Sequence, residues 1–169
     1  IRLNLARNVA ISMVCSLAGS LIMGLLTTQA AQAKQRVLVI HSYHDQMNWS
    51  NDLRSGIDQG FSALANEVDL RHEFLDAKRL PSLTHGEAFL EQLKIKYPES
   101  SLDMLIVSDD PGLRLVLKHR EDYFSTLPIV YLGINTVDPA LLELSNVTGV
   151  FEIHNILDTV LGALEQTNS

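Results

Sequence analysis

The chain has 169 residues, of which 46% are hydrophobic, 20% charged and 6% aromatic. That composition excludes a disordered, collagenous or disulfide-stapled chain and allows one domain with a sizeable core. Residues 1–33 carry Arg2 and Arg7 and no acid, so residues 34–169 hold 11 Lys+Arg against 20 Asp+Glu, a balance of −9. Such an acidic surface argues against nucleic acid or an anionic membrane surface as partner, because phosphate binding needs a basic face.

The first segment reads as an address. Arg2 and Arg7 precede an uncharged run over 8–33, whose apolar part covers 9–26. Ala31-Gln32-Ala33 then gives a small-x-small site before Lys34, completing the three-part pattern of a secretory signal. The alternative is an uncleaved membrane anchor over 9–26, at the low edge of what spans a bilayer and diluted by Ser12, Ser16, Gly19, Ser20 and Gly24. Either way residues 34–169 are expected to be exported. Cys15 is the sole cysteine, so that part has none. Disulfides and thiolate metal sites are excluded there. Ser12-Met13-Val14 lacks the residues of a lipoprotein site before Cys15. The chain opens on Ile1 rather than Met, so its true start is expected to be missing or mis-called.

The exported part alternates between short β-branched runs and amphipathic segments. Residues 36–41 (RVLVIH) form a continuous apolar run, the mark of a strand buried on both faces. Ser50-Asn51-Asp52 offers helix-start chemistry, and Leu53, Ile57, Phe61 and Leu64 follow at helical spacing. Residues 68–75 (VDLRHEFL) alternate and predict a strand nearer an edge. Pro81-Ser82-Leu83-Thr84 opens a helix to about Tyr97, with Phe89, Leu90 and Leu93 inward and Pro98 as the stop. Residues 103–108 (DMLIVS) are a third strand. Pro111 suits a first helical turn, and Leu113, Val116 and Leu117 line the helix after it. Residues 128–132 (PIVYL) are a fourth strand, ending at Gly133-Ile134-Asn135. A short helix over 139–144, a strand over 147–151 (VTGVF) and a helix over 156–165 complete the string. With right-handed crossovers this predicts an α/β fold: a doubly wound, parallel five-stranded sheet in the flavodoxin-like order 2-1-3-4-5.

Ligands of an open parallel sheet lie at the carboxyl ends of its strands. That rule singles out Ser42, Tyr43, His44, Asp45 and Trp49 after the first strand, and Asp76, Lys78 and Arg79 after the second. Ser108, Asp109 and Asp110 follow the third, Gly133, Ile134 and Asn135 the fourth, and Glu152 and His154 the fifth. Tyr43 and the only tryptophan, Trp49, offer a stacking platform, unless Trp49 packs on the helix it precedes. Asp109 and Asp110 offer acceptors, with one of them expected to cap the helix near Pro111. Asp76, Lys78 and Arg79 suit a carboxylate or zwitterion, or form a solvated surface pair. Gly133 and Asn135 allow close approach and two-way hydrogen bonding, or simply make a turn. His41, His44 and Asp45 do not read as a metal site, since strand side chains alternate in direction and no second cluster supplies ligands. His72, His85 and His119 read as surface residues. A receiver-type phosphoacceptor would need an acidic pair after the first strand and a lysine after the fifth, where Tyr43-His44 and Glu152 stand. No nucleophile elbow, metalloprotease helix or phosphate loop is present, so neither an enzyme nor a cofactor is expected.

These stretches together resemble a known family. Val37-Leu38-Val39-Ile40-His41-Ser42-Tyr43-His44, followed by Trp49 and Gly56-Ile57, is similar to the opening of periplasmic sensor and solute-binding domains related to ABC transporter substrate-binding proteins. Phe74-Leu75-Asp76-Ala77-Lys78-Arg79, the DMLIVSDD run ending at Asp110, the PIVYLGIN run ending at Asn135 and the VTGVFE run ending at Glu152 fit the same pattern. The resemblance covers about residues 36–165. It implies a type I periplasmic binding fold, with residues 34–152 as the N-terminal ligand-binding lobe. Residues 153–169 are then the hinge and the first helix of a second lobe that the chain cuts short.

The function so implied is a periplasmic small-solute sensor, the input of a membrane histidine kinase or diguanylate cyclase. Its partners are a small-molecule ligand, the second lobe and the signalling output. A substrate-binding protein serving an ABC permease is the alternative, and an enzyme on a flavodoxin-like domain is the rival of another class. The expected ligand residues are Ser42, Tyr43, Trp49, Asp76, Arg79, Asp109, Asp110, Gly133, Asn135 and Glu152.

Overall fold

The computed structural model describes residues 33–136 and 139–152, together with residues 160, 161, 164 and 166. The chain divides into two compact units, Ile1–Ala33 and Lys34–Ser169. Nearly all of the first, including the run over 9–26, lies outside the described residues, as do most of the hinge and helix expected over 153–165. Val160, Leu161, Leu164 and Gln166 are helical.

Five parallel strands form one sheet in the order β2-β1-β3-β4-β5. They are β1 (Gln35–His41), β2 (Val68–Phe74), β3 (Met104–Ser108), β4 (Ile129–Ile134) and β5 (Val147–Phe151). Between them run α1 (Asn48–Phe61), α2 (Leu83–Lys96), α3 (Asp109–Lys118) and the single turn α4 (Pro139–Leu142). The predicted order is the observed one. The alternating run over 68–75 does lie at a sheet edge, where among the described residues β2 pairs with β1 alone.

The pleat sorts the core. Leu38, Ile40, Leu105, Val107, Ile129 and Tyr131 pack on the face that carries Phe89, Leu90 and Leu93 of α2 and Leu113 and Val116 of α3. Val37, Val39 and Ile106 point the other way, toward Ile57 and Phe61 of α1. Successive side chains on one strand thus serve two layers, which is why β1 and β3 read as unbroken apolar runs.

Two helix starts differ from their sequence signals. α2 opens within the expected Pro81-Ser82-Leu83-Thr84 run, where Ser82 caps it, its hydroxyl accepting the His85 N–H at 3.1 Å. By contrast α1 begins at Asn48, before the Ser50-Asn51-Asp52 cluster, and Met47 at its cap makes no side-chain bond. Ser50 is buried inside the helix. Likewise α3 starts directly after β3, with Ser108 at the cap position making no side-chain capping bond, so Asp109 and Asp110 lie in its first turn rather than capping it. Both carboxylates are near the positive end of the helix, but each has a partner in another element.

Candidate functional site

The sheet order creates the site. β1 stands between β2 and β3, so the chain leaves it for opposite sides in successive crossovers, and the crevice of such a switch lies above the carboxyl ends. His41 is in register with Phe74 on one side and Ser108 on the other. The residues that follow these strand ends therefore meet on one rim.

Ser42 fastens the switch. Its Oγ lies 2.6 Å from the Ser108 carbonyl and 3.2 Å from the Asp109 carbonyl. It also accepts the Gly112 N–H at 2.7 Å. A Cβ on Gly112 would come within 2.9 Å of that oxygen, so the glycine is what lets α3 close on the β1 end. Ser42 is fully buried. Its hydroxyl is committed to joining β1, β3 and α3. On the other flank, Leu75 N–H donates to His41 O and Ala77 N–H to Ser42 O, each at 2.8 Å.

Asp109 is the centre of the rim. It turns the chain from strand to helix at φ 63°, in the left-handed region that an aspartate tolerates at some cost. Only 4% of it is exposed. Trp49 Nε1 donates to its Oδ1 at 2.9 Å, across from α1. Its Oδ2 is buried without a hydrogen-bond partner. Burial pushes this carboxyl above its usual pKa, and the nearby Asp110 and Glu152 carboxylates add to the rise against the pull of Ser108 and Trp49. Gly133 makes the roof possible. It sits at φ 65° where the β4–β5 register slips between Tyr131 and Ile134. A Cβ there would stand 3.3 Å from the Trp49 ring and 3.5 Å from Asp109 Oδ1. Gly133 is thus inside β4, at a bulge.

Asp110 Oδ2 accepts the Asn135 N–H at 3.2 Å, tying the ends of β3 and β4. Glu152 N–H donates to Ile134 O at 2.8 Å, which sets Glu152 beside them. Tyr43 lies close enough to Asp109 and Asp110 that their charges, after burial, hold its hydroxyl above the usual tyrosine pKa. Lys78 Nζ rests 4.4 Å from the centre of the Tyr43 ring. Tyr43, Trp49, Asp109, Asp110, Gly133, Asn135 and Glu152 therefore share one place. Asp76 and Arg79 pair with each other at 2.8 Å on the β2 side of the rim. That bond from Arg79 holds Asp76 below the usual carboxylate pKa.

The sequence did not point to a chain of imidazoles on the α1 face. His41 Nε2 and His72 Nδ1 are 2.9 Å apart, and His72 Nε2 is 3.0 Å from Asp58 Oδ1. His72 is far from a surface residue: its side chain is 10% exposed. His85 Nε2 likewise bonds the Leu75 carbonyl at 2.6 Å, and His119 meets Glu87 at 3.0 Å. No local signal marks these pairings, because each joins different elements that only the fold brings together. Among the described residues no group of three His, Cys, Asp or Glu is placed to hold a metal ion. No helix among them is long and apolar enough to cross a membrane.

A cavity of about 460 Å³ lies between α2 and α3, lined by Leu75, Leu80, Pro111 and Leu115 with Arg114 at its edge. Most of its polar groups are already used: Ser82 caps α2, His85 holds Leu75, and Lys118 pairs with Glu87. The convergent polar groups are on the rim instead. No family model, curated protein or solved structure matches the chain.

Proposed function

We propose that residues 34–152 are the ligand-binding lobe of an exported small-solute sensor of the type I periplasmic binding kind, feeding a membrane signalling output. The observation that carries this reading is the linked pair Trp49–Asp109 and Asp110–Asn135, at 2.9 and 3.2 Å, on the carboxyl-end rim of a switch-point sheet. Three segments remote in sequence there bring an indole N–H, two carboxylates and the Asn135 backbone N–H together. Binding pockets pair a few placed polar groups with apolar walls in this manner. An open rim suits one half of a clamshell, in which a second lobe completes the enclosure. Ligand that touches both lobes then favours the closed state by its differential contact energy, and that bias is the signal. A kinase or cyclase sequence beyond a membrane segment in the same reading frame distinguishes this sensor from an ABC importer's binding protein.

The test is a thermal-shift screen of amino acids, amines, carboxylates, sugars and nucleosides against the full-length gene product. Trp49→Ala and Asp110→Ala are run beside the parent. Each variant is expected to bind a hit at least about tenfold more weakly, the scale of one lost charged or aromatic contact. A hit that binds both variants as tightly as the parent removes the rim from the binding surface.

A further inference from the structure

Three features of the rim point to one ligand chemistry. First, Asp109 Oδ2 is sealed from solvent with no hydrogen-bond donor, and the charges of Asp110 and Glu152 lie close enough to act on that carboxyl. A buried acceptor without a donor costs stability unless something supplies an N–H or O–H. Second, Tyr43 and Trp49 put two aromatic rings against these acids, and ring faces attract cations. Third, the chain already delivers an ammonium there, since Lys78 Nζ sits over the Tyr43 ring at 4.4 Å. Arg79, the neighbouring cation, is taken by Asp76.

We propose that the rim takes an organic cation bearing a primary ammonium group, held by Asp109 and Asp110 against the rings of Tyr43 and Trp49. This deepens the sensor reading and rests on it. A primary ammonium has three N–H donors on one centre. One meets Asp109 Oδ2, and another meets the carboxylate of Asp110. A quaternary ammonium has no donor for Oδ2, and a carboxylate ligand would face three like charges. Lys78 is a tethered occupant of the same aromatic face, displaced when ligand arrives. The Asp109 carboxyl is enclosed, so an ammonium reaching Oδ2 must move a neighbour. The neighbour bonded to that carboxyl is Trp49.

Trp49 is the only tryptophan, so its fluorescence and its indole N–H resonance report this site alone. The chain is titrated with n-butylammonium, and with butyrate and glucose as controls. The expected result is a saturable change with butylammonium and none with the controls. Asp109→Asn and Asp110→Asn each weaken the response about tenfold or more, the scale of a hydrogen bond to a charged group. Lys78→Met strengthens it by vacating the ring. Should Asp109→Asn not fold, the Asp110 and Lys78 variants decide the matter, as Asp110 is half-buried, its Asn variant keeps an acceptor for the Asn135 N–H, and Lys78 is exposed. Saturation by butyrate or glucose without butylammonium overturns the inference yet leaves the rim a ligand surface. Equal butylammonium response in the parent, Asp110→Asn and Lys78→Met also overturns it, as does no response to butylammonium. The sensor reading is judged separately, by the Trp49→Ala and Asp110→Ala screen.

Discussion

His41 ends the central strand with its ring fully buried, and its protonation state follows from its neighbours. Asp58 can only accept, so His72 Nε2 carries the proton between them, at 3.0 Å. His72 Nδ1 then accepts from His41 Nε2 at 2.9 Å. That leaves His41 Nδ1 bare, buried and without a partner. Phe74 stacks on the same ring at 4.7 Å. Protonating His41 would put a charge among apolar groups, so burial, reinforced by His72 and Arg54, lowers its pKa from 6.5 to about 4. The unfolded chain therefore takes up this proton first. As pH falls from about 6.5 to about 4, the native state loses stability, by about 3 kcal/mol for a shift of this size. Urea midpoints near pH 7 and near pH 4.5 measure the loss, and His41→Phe, which keeps an aromatic ring against Phe74, is expected to shrink it. An unchanged loss in the variant would assign the acid sensitivity to other groups. Nothing in the residue order around His41 announced this, because its partners come from an edge strand and a helix that only the fold brings near.

The helices are held unequally. α2 buries Phe89, Leu90 and Leu93 on one stripe, with Ser82 capping its start. α1 covers the other face of the sheet with Ile57 and Phe61 only partly buried, and its one buried residue is Ser50. Local opening follows the amount of apolar contact that must be broken. Amides of the middle and end of α1 are expected to exchange with deuterium faster than those over 89–96 of α2 in native-state hydrogen exchange. Equal protection along both would mean that the sheet faces are equally secured. The same contrast explains what could be read beforehand. The α2 boundaries were legible because a serine cap, an inward stripe and Pro98 all agree. The α1 start was misplaced by at least three residues because Ser50-Asn51-Asp52 looks like a cap, whereas the cap position is Met47, Ser50 is turned inward and Trp49 is drawn across to Asp109. The α3 start was misplaced because Asp109 accepts a left-handed turn that the sequence rules assign mainly to glycine.

At the scale of the molecule, strand order and direction were legible because unbroken apolar runs separated by helices leave few topologies. The rim was legible too, since strand ends are fixed once the order is. Which of its groups would be consumed internally was not. Ser42 turned out to fasten β1 to β3 and α3, a role set by where Gly112 lands. Charge is the remaining property of the whole. Residues 34–169 carry the −9 balance. The described Lys and Arg are largely spent in exposed pairs, such as Arg54–Asp58, Arg71–Asp69, Arg79–Asp76, Lys94–Glu91, Lys96–Glu73 and Lys118–Glu87. Exposed pairs of this kind contribute about 0–1 kcal/mol each and weaken with salt. The surplus acids repel one another over longer distances, and that repulsion is also screened as the Debye length falls from about 30 Å at 0.01 M to about 10 Å at 0.1 M. Repulsion between distant groups is the term with the longer reach, so it loses more on screening than contacts at 3 Å do. The melting temperature of residues 34–169 is accordingly expected to rise by a few degrees between about 0.01 M and about 0.3 M sodium chloride. A fall over that range would mean that the short pairs outweigh the acid surplus, and would also remove the long-range field that draws a cation toward Asp110 and Glu152.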